Sequence, residues 1–535
     1  MKRYAAKMVG KTRIGLNEAV ANCVRVQPHS PRNAVADLAP LFRDIQAMYT
    51  MRGMLAEWSP HILLALDLLV LIVLSVRVVM RRRSVGFSLA WLTVLFSVPI
   101  FGAILYLLLG ELRLGGKRAK LANLIHGPYQ QWLAELRDPN RSPAFDARWE
   151  PLARLAESAV AIPPLCDNRI ELLADADSSF QTLLSDIESA RSTVHLEFYI
   201  WDSGGRADAV AAALERAAKR GVKCRILLDD VGSRKFLRSQ AAQKLRAAGV
   251  EVEAALPANL LRAFFVRFDL RLHRKIVVID GEIGYAGSLN VADPLHFKRA
   301  TGYGPFLDAM VRLHGPVVEA LAVTFLEDWE LETGATFEQL RVSGDVKRLA
   351  AAGESTVHVI PSGPMYRPLS IQEILLWVIY GARDELILTT PYYIPDEALQ
   401  AALIAAARRG VEVTLIVPVN EDSHLVRYAS QAYRGELVAA GVHVLEHQKG
   451  MLHTKSVTVD GQVSLFGSLN LDPRSMFLNF EITLAIYDPT FTESLRELQR
   501  TYAKQCRPLD LAAWRSRPWT RQFAQNLARL LGPLL

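Results

Sequence analysis

The sequence predicts an α/β protein made of two duplicated α-β-α sandwich lobes with mixed sheets, preceded by an N-terminal pair of apolar helices. Three observations carry this. The stretch "LHRKIVVIDGEIGYAGSLN" (272–290) is written again as "LHTKSVTVDGQVSLFGSLN" (452–470). Upstream of each copy, β-rich runs alternate with Ala-rich helical patterns, the order expected of parallel or mixed sheets covered by helices on both faces. Near the N-terminus, Val85 to Leu109 is 25 residues without a charge, more than the roughly 20 that a helix needs to cross a bilayer core.

Composition sets the outer limits. The chain has 535 residues, half of them apolar and only 22% charged, which is the balance of a folded protein. The formal charge of +7 and pI near 9.1 fit an anionic partner, with nucleic acid, anionic lipid and a phosphorylated substrate all open on charge alone. Cys23, Cys166, Cys224 and Cys506 are far apart and form no Cys-x-x-Cys pair, so free thiols are expected rather than a disulfide framework or a thiolate metal site.

In chain order, residues 1–60 have no clear periodicity and are expected to be an extension, disordered or preceding a natural start at Met54. Residues 61–110 are expected to form a transmembrane hairpin. Its first span, Ile62 to Met80, carries Asp67 and Arg77, although an arginine near a span's end can snorkel. No small-x-small cleavage site follows it and a second span does, which argues against a signal peptide. Arg81, Arg82 and Arg83 lie between the spans and Lys117, Arg118 and Lys120 follow them; the positive-inside rule cannot satisfy both groups, so the facing stays open. Residues 111–165 are expected to be a linker.

The first lobe is expected over 166–345 and the second over 346–508. "AVAAALERAAKRGVKCRILL" (209–228) parallels "ALQAALIAAARRGVEVTLIV" (398–417) at a constant offset of 189. Each reads as a helix closed by glycine and followed by a strand. "TVHLEFYIW" and "ELILTTPYYI" supply the strand before each helix. Between Gly249 and His273 lie more residues than between Gly441 and His453, so the first copy holds an insert, "NLLRAFFVRFDLR" (259–271). It reads as a solvated loop, as a rim where Arg meets lipid phosphate and Phe enters the acyl boundary, or as a nucleic-acid groove. In the tail, 509–535, Arg515, Arg517, Arg521 and Arg529 accompany Trp514, Trp519, Phe523, Leu527, Leu530 and Leu531. This predicts a basic amphipathic helix, docked on anionic lipid or packed on the second lobe.

The chemistry lies in the repeat. Each copy holds His-x-Lys, Asp and Gly-Ser-x-Asn at matching spacing: His273, Lys275, Asp280, Ser288 and Asn290, then His453, Lys455, Asp460, Ser468 and Asn470. On a strand, alternate side chains share a face, so imidazole and ammonium point the same way. Two lysines, two serines and two asparagines, with no carboxylate or thiolate cluster to hold a metal, describe a pocket for a phosphate diester. Phosphoryl transfer without metal or other cofactor needs a nucleophile and an acid, and one histidine can serve as each. The lysines and asparagines would then stabilise charge building on the phosphoryl oxygens. A nucleophilic imidazole also needs an acceptor on its other nitrogen. Glu481, 28 residues after His453, and Asp308, 35 residues after His273, are the candidates, each expected to serve the histidine of its own copy.

These residues resemble the phospholipase D superfamily, whose His-x-Lys-x4-Asp-x6-Gly-Ser signature stands here twice. Together with "AWLTVLFSVPIFGAILYLLLGE", "EFYIW", "DLRLHRK", "SGP", "TPYYIPD" and "QNLARLLGPLL", they are similar to the bacterial cardiolipin synthases of the two-span type, from about residue 60 to the end. The resemblance implies phospholipase D-like lobes whose active site lies where they meet. It implies a cell-membrane enzyme, multi-pass in the bacterial inner membrane, acting on phosphatidylglycerol among anionic lipids. One phosphatidyl group would pass to a histidine with release of glycerol, and a second phosphatidylglycerol would take it up to give cardiolipin. By this similarity His273 is the nucleophile and His453 the acid and then base, an order the near-symmetry of the copies leaves reversible. Asp280 and Asp460 belong to the catalytic signature as orienting or structural residues, and Asp293 stands where the family carries an acid. A membrane phospholipase D, a phosphatidyltransferase with another alcohol acceptor, and an inactive membrane scaffold stay open. An endonuclease fits less well, because a membrane anchor does not help it reach nucleic acid.

Overall fold

The computed structural model describes residues 64–81, 85–111, 113, 116–136, 145–257, 267, 269–298 and 301–532. The N-terminal extension and most of the 259–271 insert lie outside these. The chain divides into two compact units, Met1–Tyr106 and Leu107–Leu535.

In the first unit a helix runs over 64–80, followed by helices Val85–Ser97 and Pro99–Leu105. The uncharged run is divided because Pro99 has no N–H to give the preceding turn and holds Val98 out of helical conformation, at φ −139° and ψ 73°. Gly102 is required here: a Cβ at this position would stand 2.6 Å from the Val94 carbonyl oxygen. Trp91 and Leu95 are buried, while Leu64, Ile72, Val76, Val85, Phe96, Ile100 and Phe101 face outward. Among the described residues no helix is long and apolar enough to cross a membrane.

The second unit is built on one mixed sheet. Among the described residues it has fifteen strands. Its centre is the antiparallel pair Leu165–Leu173 and Ser355–Ser362. Outward from the first lie Met310–His314, Ile283–Gly287, Ile276–Ile279, Thr193–Phe198, Lys223–Asp229 and Glu251–Ala255. Outward from the second lie Glu481–Tyr487, Val463–Gly467, Ser456–Val459, Glu385–Thr389, Glu412–Pro418 and His443–His447, with Cys506–Pro508 at the edge. The order of one half repeats the other, so the duplication is structural. The outer three strands of the repeat are parallel and the inner ones antiparallel. The two lobes expected from the repeat thus share one continuous sheet.

The repeat is visible in packing. Helix Arg206–Lys219 buries Val210, Ala213, Leu214 and Ala217, and helix Glu397–Arg408 buries Leu399, Ala402, Leu403 and Ala406, the same positions at the offset of 189. Each helix is closed by a left-handed glycine, Gly221 at φ +91° and Gly410 at φ +93°. Residues 111–165, expected as a linker, instead supply helices Gly116–Ala134 and Glu150–Val160. Their Tyr129, Leu133, Leu152 and Ala156 join the same core cluster as residues of both halves. Burial of that apolar face makes the segment part of the core rather than a connector.

Candidate active site

Each repeated stretch folds as a strand, a tight turn and a returning strand. Asp280 and Gly281 take the two left-handed central positions, at φ +55° and +62°, of a turn closed by Glu282 N–H to the Ile279 carbonyl at 2.9 Å. Asp460 and Gly461 do the same at φ +50° and +66°, which is why Asp-Gly is written twice. Asp280 accepts the backbone N–H groups of Arg191, Ser192 and Thr193 at 2.9, 2.7 and 3.0 Å. Asp460 accepts those of Arg383, Asp384 and Glu385 at 3.0, 2.8 and 2.9 Å. Both tie the hairpin to the neighbouring strand, and they sit five residues from Lys275 and Lys455, or about 16 Å along an extended strand. Neither motif aspartate reaches the lysine end of its strand.

At that end the two halves cross. His273 Nδ1 lies 2.8 Å from Glu481 Oε2 and His453 Nδ1 lies 2.6 Å from Asp308 Oδ1. An ionised carboxylate only accepts, so each Nδ1 carries the hydrogen and Nε2 is the nitrogen left for chemistry. This reverses the expected pairing, in which Glu481 served His453 and Asp308 served His273. Backbone pairing is the cause. His273 N–H donates to the Phe480 carbonyl at 2.8 Å, beside a parallel bridge from Leu272 to Phe480. In the other direction, Met451–Leu452 pairs with Phe306–Leu307 and His453 N–H donates to Leu307 at 2.9 Å. Each histidine is laid against the strand that carries the other half's carboxylate.

The serines serve the carboxylates. Ser288 Oγ donates to Asp308 at 2.6 Å and Ser468 Oγ donates to Glu481 at 2.5 Å, so neither hydroxyl is left for the phosphate contact expected of it. Each carboxylate therefore joins its own half's serine to the other half's histidine. Asn290 accepts Ile200 N–H at 3.1 Å, and Asn470 donates to Ser475 Oγ at 3.2 Å. Lys275 Nζ donates to the His273 carbonyl at 2.6 Å, and Lys455 Nζ to the His453 carbonyl at 2.5 Å. Asp293 is occupied elsewhere, accepting the Arg206 N–H at 3.0 Å and its guanidinium at 2.9 Å.

Burial governs the charges. It pushes His273 down to about 4 against the pull of Glu481, and lowers His453 against the pull of Asp308. Lys275 falls to about 8 and Lys455 to about 7, again through burial, with Glu481 and Asp308 opposing. Burial alone would raise the carboxylates, but His273 and Lys275 hold Glu481 below the usual range, and His453 and Lys455 do the same for Asp308. Burial thus favours neutral imidazoles beside ionised carboxylates and lowers both lysines toward neutral pH. Across the halves, Lys455 acts on His273 and Lys275 on His453.

Sequence reasoning missed several supports. Asp229 accepts the Leu272 N–H at 2.9 Å, fixing the residue before His273. Arg274, fully buried, binds Asp328, the Glu481 carbonyl at 3.1 Å and Tyr366 Oη at 3.2 Å. Lys298 and Tyr392 each donate to Asp422 at 2.6 Å, linking the halves beside Phe306, whose ring stands 5.5 Å from that of His453. "TPYYIPD" had drawn attention to Tyr392 only through resemblance; Arg274 had no counterpart in the second copy, where Thr454 stands. A cavity of about 610 Å³ lined by Arg148, Trp377, Tyr380, Arg383 and Arg409 lies at the turn end of the second hairpin, where Arg148 binds Asp460. The histidines do not line it.

The chain is 43% identical to a cardiolipin synthase A of Serratia proteamaculans, over 86% of this chain and 95% of that protein. It is 42% identical to the cardiolipin synthase A of Escherichia coli O1:K1, over the same shares. The chain belongs to the cardiolipin synthase family. The family description "Cardiolipin synthase, PLD-like domain" matches residues 183–297 and 375–502, which include both histidine hairpins and Glu481 but not Asp308. A "Phospholipase_D-nuclease N-terminal" family matches residues 69–111, the apolar helices. The crystal structure of a phosphatidylserine synthase from Haemophilus influenzae Rd KW20 shares the fold at TM-score 0.54 and 15% identity, covering 72% of this chain and all of that one.

Proposed function

We propose that the chain is a cardiolipin synthase, a phosphatidyltransferase that joins two phosphatidylglycerols into cardiolipin and glycerol. The observation that carries this is the reciprocal pairing of each histidine with the other half's carboxylate, in a chain whose relatives named cardiolipin synthase A match it along most of its length. In the first step His273 Nε2 attacks phosphorus and the bond to the glycerol oxygen breaks. His453, which enters this step protonated at Nε2 beside the anionic diester and balanced by Asp308, gives that oxygen its proton. In the second, the terminal hydroxyl of another phosphatidylglycerol loses its proton to His453 and attacks phosphorus, and the P–N bond breaks with its electron pair returning to His273. Glu481 and Asp308 hold the imidazoles and balance their positive forms. Lys275, Lys455 and Asn290 are assigned to the phosphoryl oxygens, where a dry site strengthens each contact. Ser288 and Ser468 act one step back, on the carboxylates.

We further propose that the apolar helices of 64–105 form a membrane hairpin and that the enzyme is a multi-pass protein of the bacterial inner membrane, beside its lipid substrates; their outward leucines, isoleucines and phenylalanines and the match of residues 69–111 support this. Residues 166–345 and 346–508 are taken as the two phospholipase D-like halves. The deciding experiment is product analysis with glycerol-labelled phosphatidylglycerol and purified protein. Cardiolipin with released glycerol is expected, and absent from His273→Ala and His453→Ala. Phosphatidic acid as sole lipid product would mean hydrolysis and defeat the proposal.

A further inference from the structure

The last helix, Trp519–Leu530, packs on the second half with one face only. Gln525 and Ala528 turn inward against helix His424–Ala439, where Gln525 Nε2 donates to Gln431 Oε1 at 2.7 Å. Before it, the Trp514 ring occupies the space a side chain at Gly435 would need. The arginine-rich tail is therefore fixed in place, as one of the two readings of its sequence expected. Yet Trp519, Phe523, Leu527, Leu530 and Leu531 stay open to solvent, Trp519 and Leu530 by 75% and Phe523 by 61%. At 100° per residue they fall within an arc of about 120°, next to the buried face and not part of it.

The helix that carries the stripe is anchored next to the candidate active site. Ala528 packs with Ile394 and Ala429, and Ile394 N–H donates to Leu471, the residue after Asn470, at 2.9 Å. Leu425 and Tyr428, on the helix beneath, are exposed too. That helix begins two residues after Asp422, which Lys298 and Tyr392 hold at the junction of the halves. On the other side of this junction Leu295 is 60% exposed. An apolar rim thus borders the site, with Arg515 and Arg521 exposed along the tail and no acid between Asp510 and the chain end.

We propose that Trp519, Phe523, Leu527 and Leu530, with Leu425, Tyr428 and Leu295, form a membrane-docking surface that seats the mouth of the active site on an anionic bilayer. Aromatic and aliphatic side chains enter the acyl boundary while arginines remain among the headgroup phosphates. Charge complementarity and position at the junction select a lipid surface over a protein partner. The proposal rests on the phosphatidyltransferase reading only for which lipids are carried to the site.

The test uses the full chain in vesicles of equal phosphatidylglycerol and phosphatidylcholine. With bromine on the lipid chains, more tryptophan fluorescence should be quenched in the native protein than in Trp519→Phe; equal quenching overturns the docking surface. Phe523→Glu, Leu527→Glu and Leu530→Glu together should cut turnover on vesicles by tenfold or more, yet change turnover on short-chain monomeric phosphatidylglycerol less than twofold. An equal fall on both substrates would assign the stripe to folding and sink the proposal. Loss of a dimer in detergent by the triple variant, with quenching unchanged, would assign the stripe to a second copy and also overturn it. If the native protein makes no cardiolipin from either substrate, the functional reading fails, while the quenching result still decides the docking surface.

Discussion

Glu481 and Asp308 are the residues on which the site turns, because each holds one half's serine and the other half's histidine. Glu481→Gln keeps the shape but offers His273 an amide, so the tautomer and the balancing charge are both lost. A fall in kcat of roughly 10² to 10⁴ is expected, the range for removing an orienting carboxylate, with KM changed little. A fall confined to KM would move Glu481 out of this role. His453 and the lysines set the alkaline side of the pH response. Burial lowers His453 below its usual 6.5, so kcat/KM, which reports the free enzyme, should begin to decline as the proposed acid loses its proton and fall further as Lys455 near 7 and Lys275 near 8 lose their charge. Its acid limb should lie near 4, where His273 takes up a proton. The same shifts affect folding. A lysine whose folded-state value lies below its unfolded one binds fewer protons when folded, so its contribution rises with pH from about 7 toward about 10.4. Urea unfolding at pH 7 and pH 9 should therefore show a larger gain for the native chain than for Lys455→Met.

At the scale of the element, the hairpin was legible and its partners were not. Period-two alternation and Asp-Gly announced the strand, turn and strand, and the offset of 189 announced helices that bury the same positions in both halves. The cross-pairing was hidden because it depends on two short strand contacts, Leu272 with Phe480 and Met451–Leu452 with Phe306–Leu307. These join segments far apart in sequence, and no local pattern specifies such a choice. The central strands Leu165–Leu173 and Ser355–Ser362 escaped for a related reason: their sequences were not part of the recognised repeat. The motif aspartates now have a specific task. Asp280→Ala removes an acceptor for three N–H groups and places alanine at φ +55°. It should lower stability by about 2–4 kcal/mol while leaving kcat within a few fold at low temperature. Denaturant unfolding with parallel turnover checks this, and loss of kcat without loss of stability would return Asp280 to the catalytic group.

For the whole molecule, duplication within one chain matters more than the presence of two lobes. One sheet runs through both halves, and one apolar cluster contains Ile276 and Leu313 of the first together with Leu386, Val459 and Leu484 of the second. Each half completes the other's histidine, so neither holds a full site, and exchanging halves between chains would open that shared core. Separately purified His273→Ala and His453→Ala proteins should therefore remain inactive when mixed, since each chain still lacks one imidazole of its own. Were the site built between two chains, mixed dimers would contain one intact site and activity would return to roughly a quarter of native, the share expected if half the dimers are mixed and each has one of two sites intact. Incubating the pair in detergent, restoring both to vesicles and measuring cardiolipin formation distinguishes these arrangements. Recovery of that size would mean that the pairing seen within one chain is completed by its neighbour in solution.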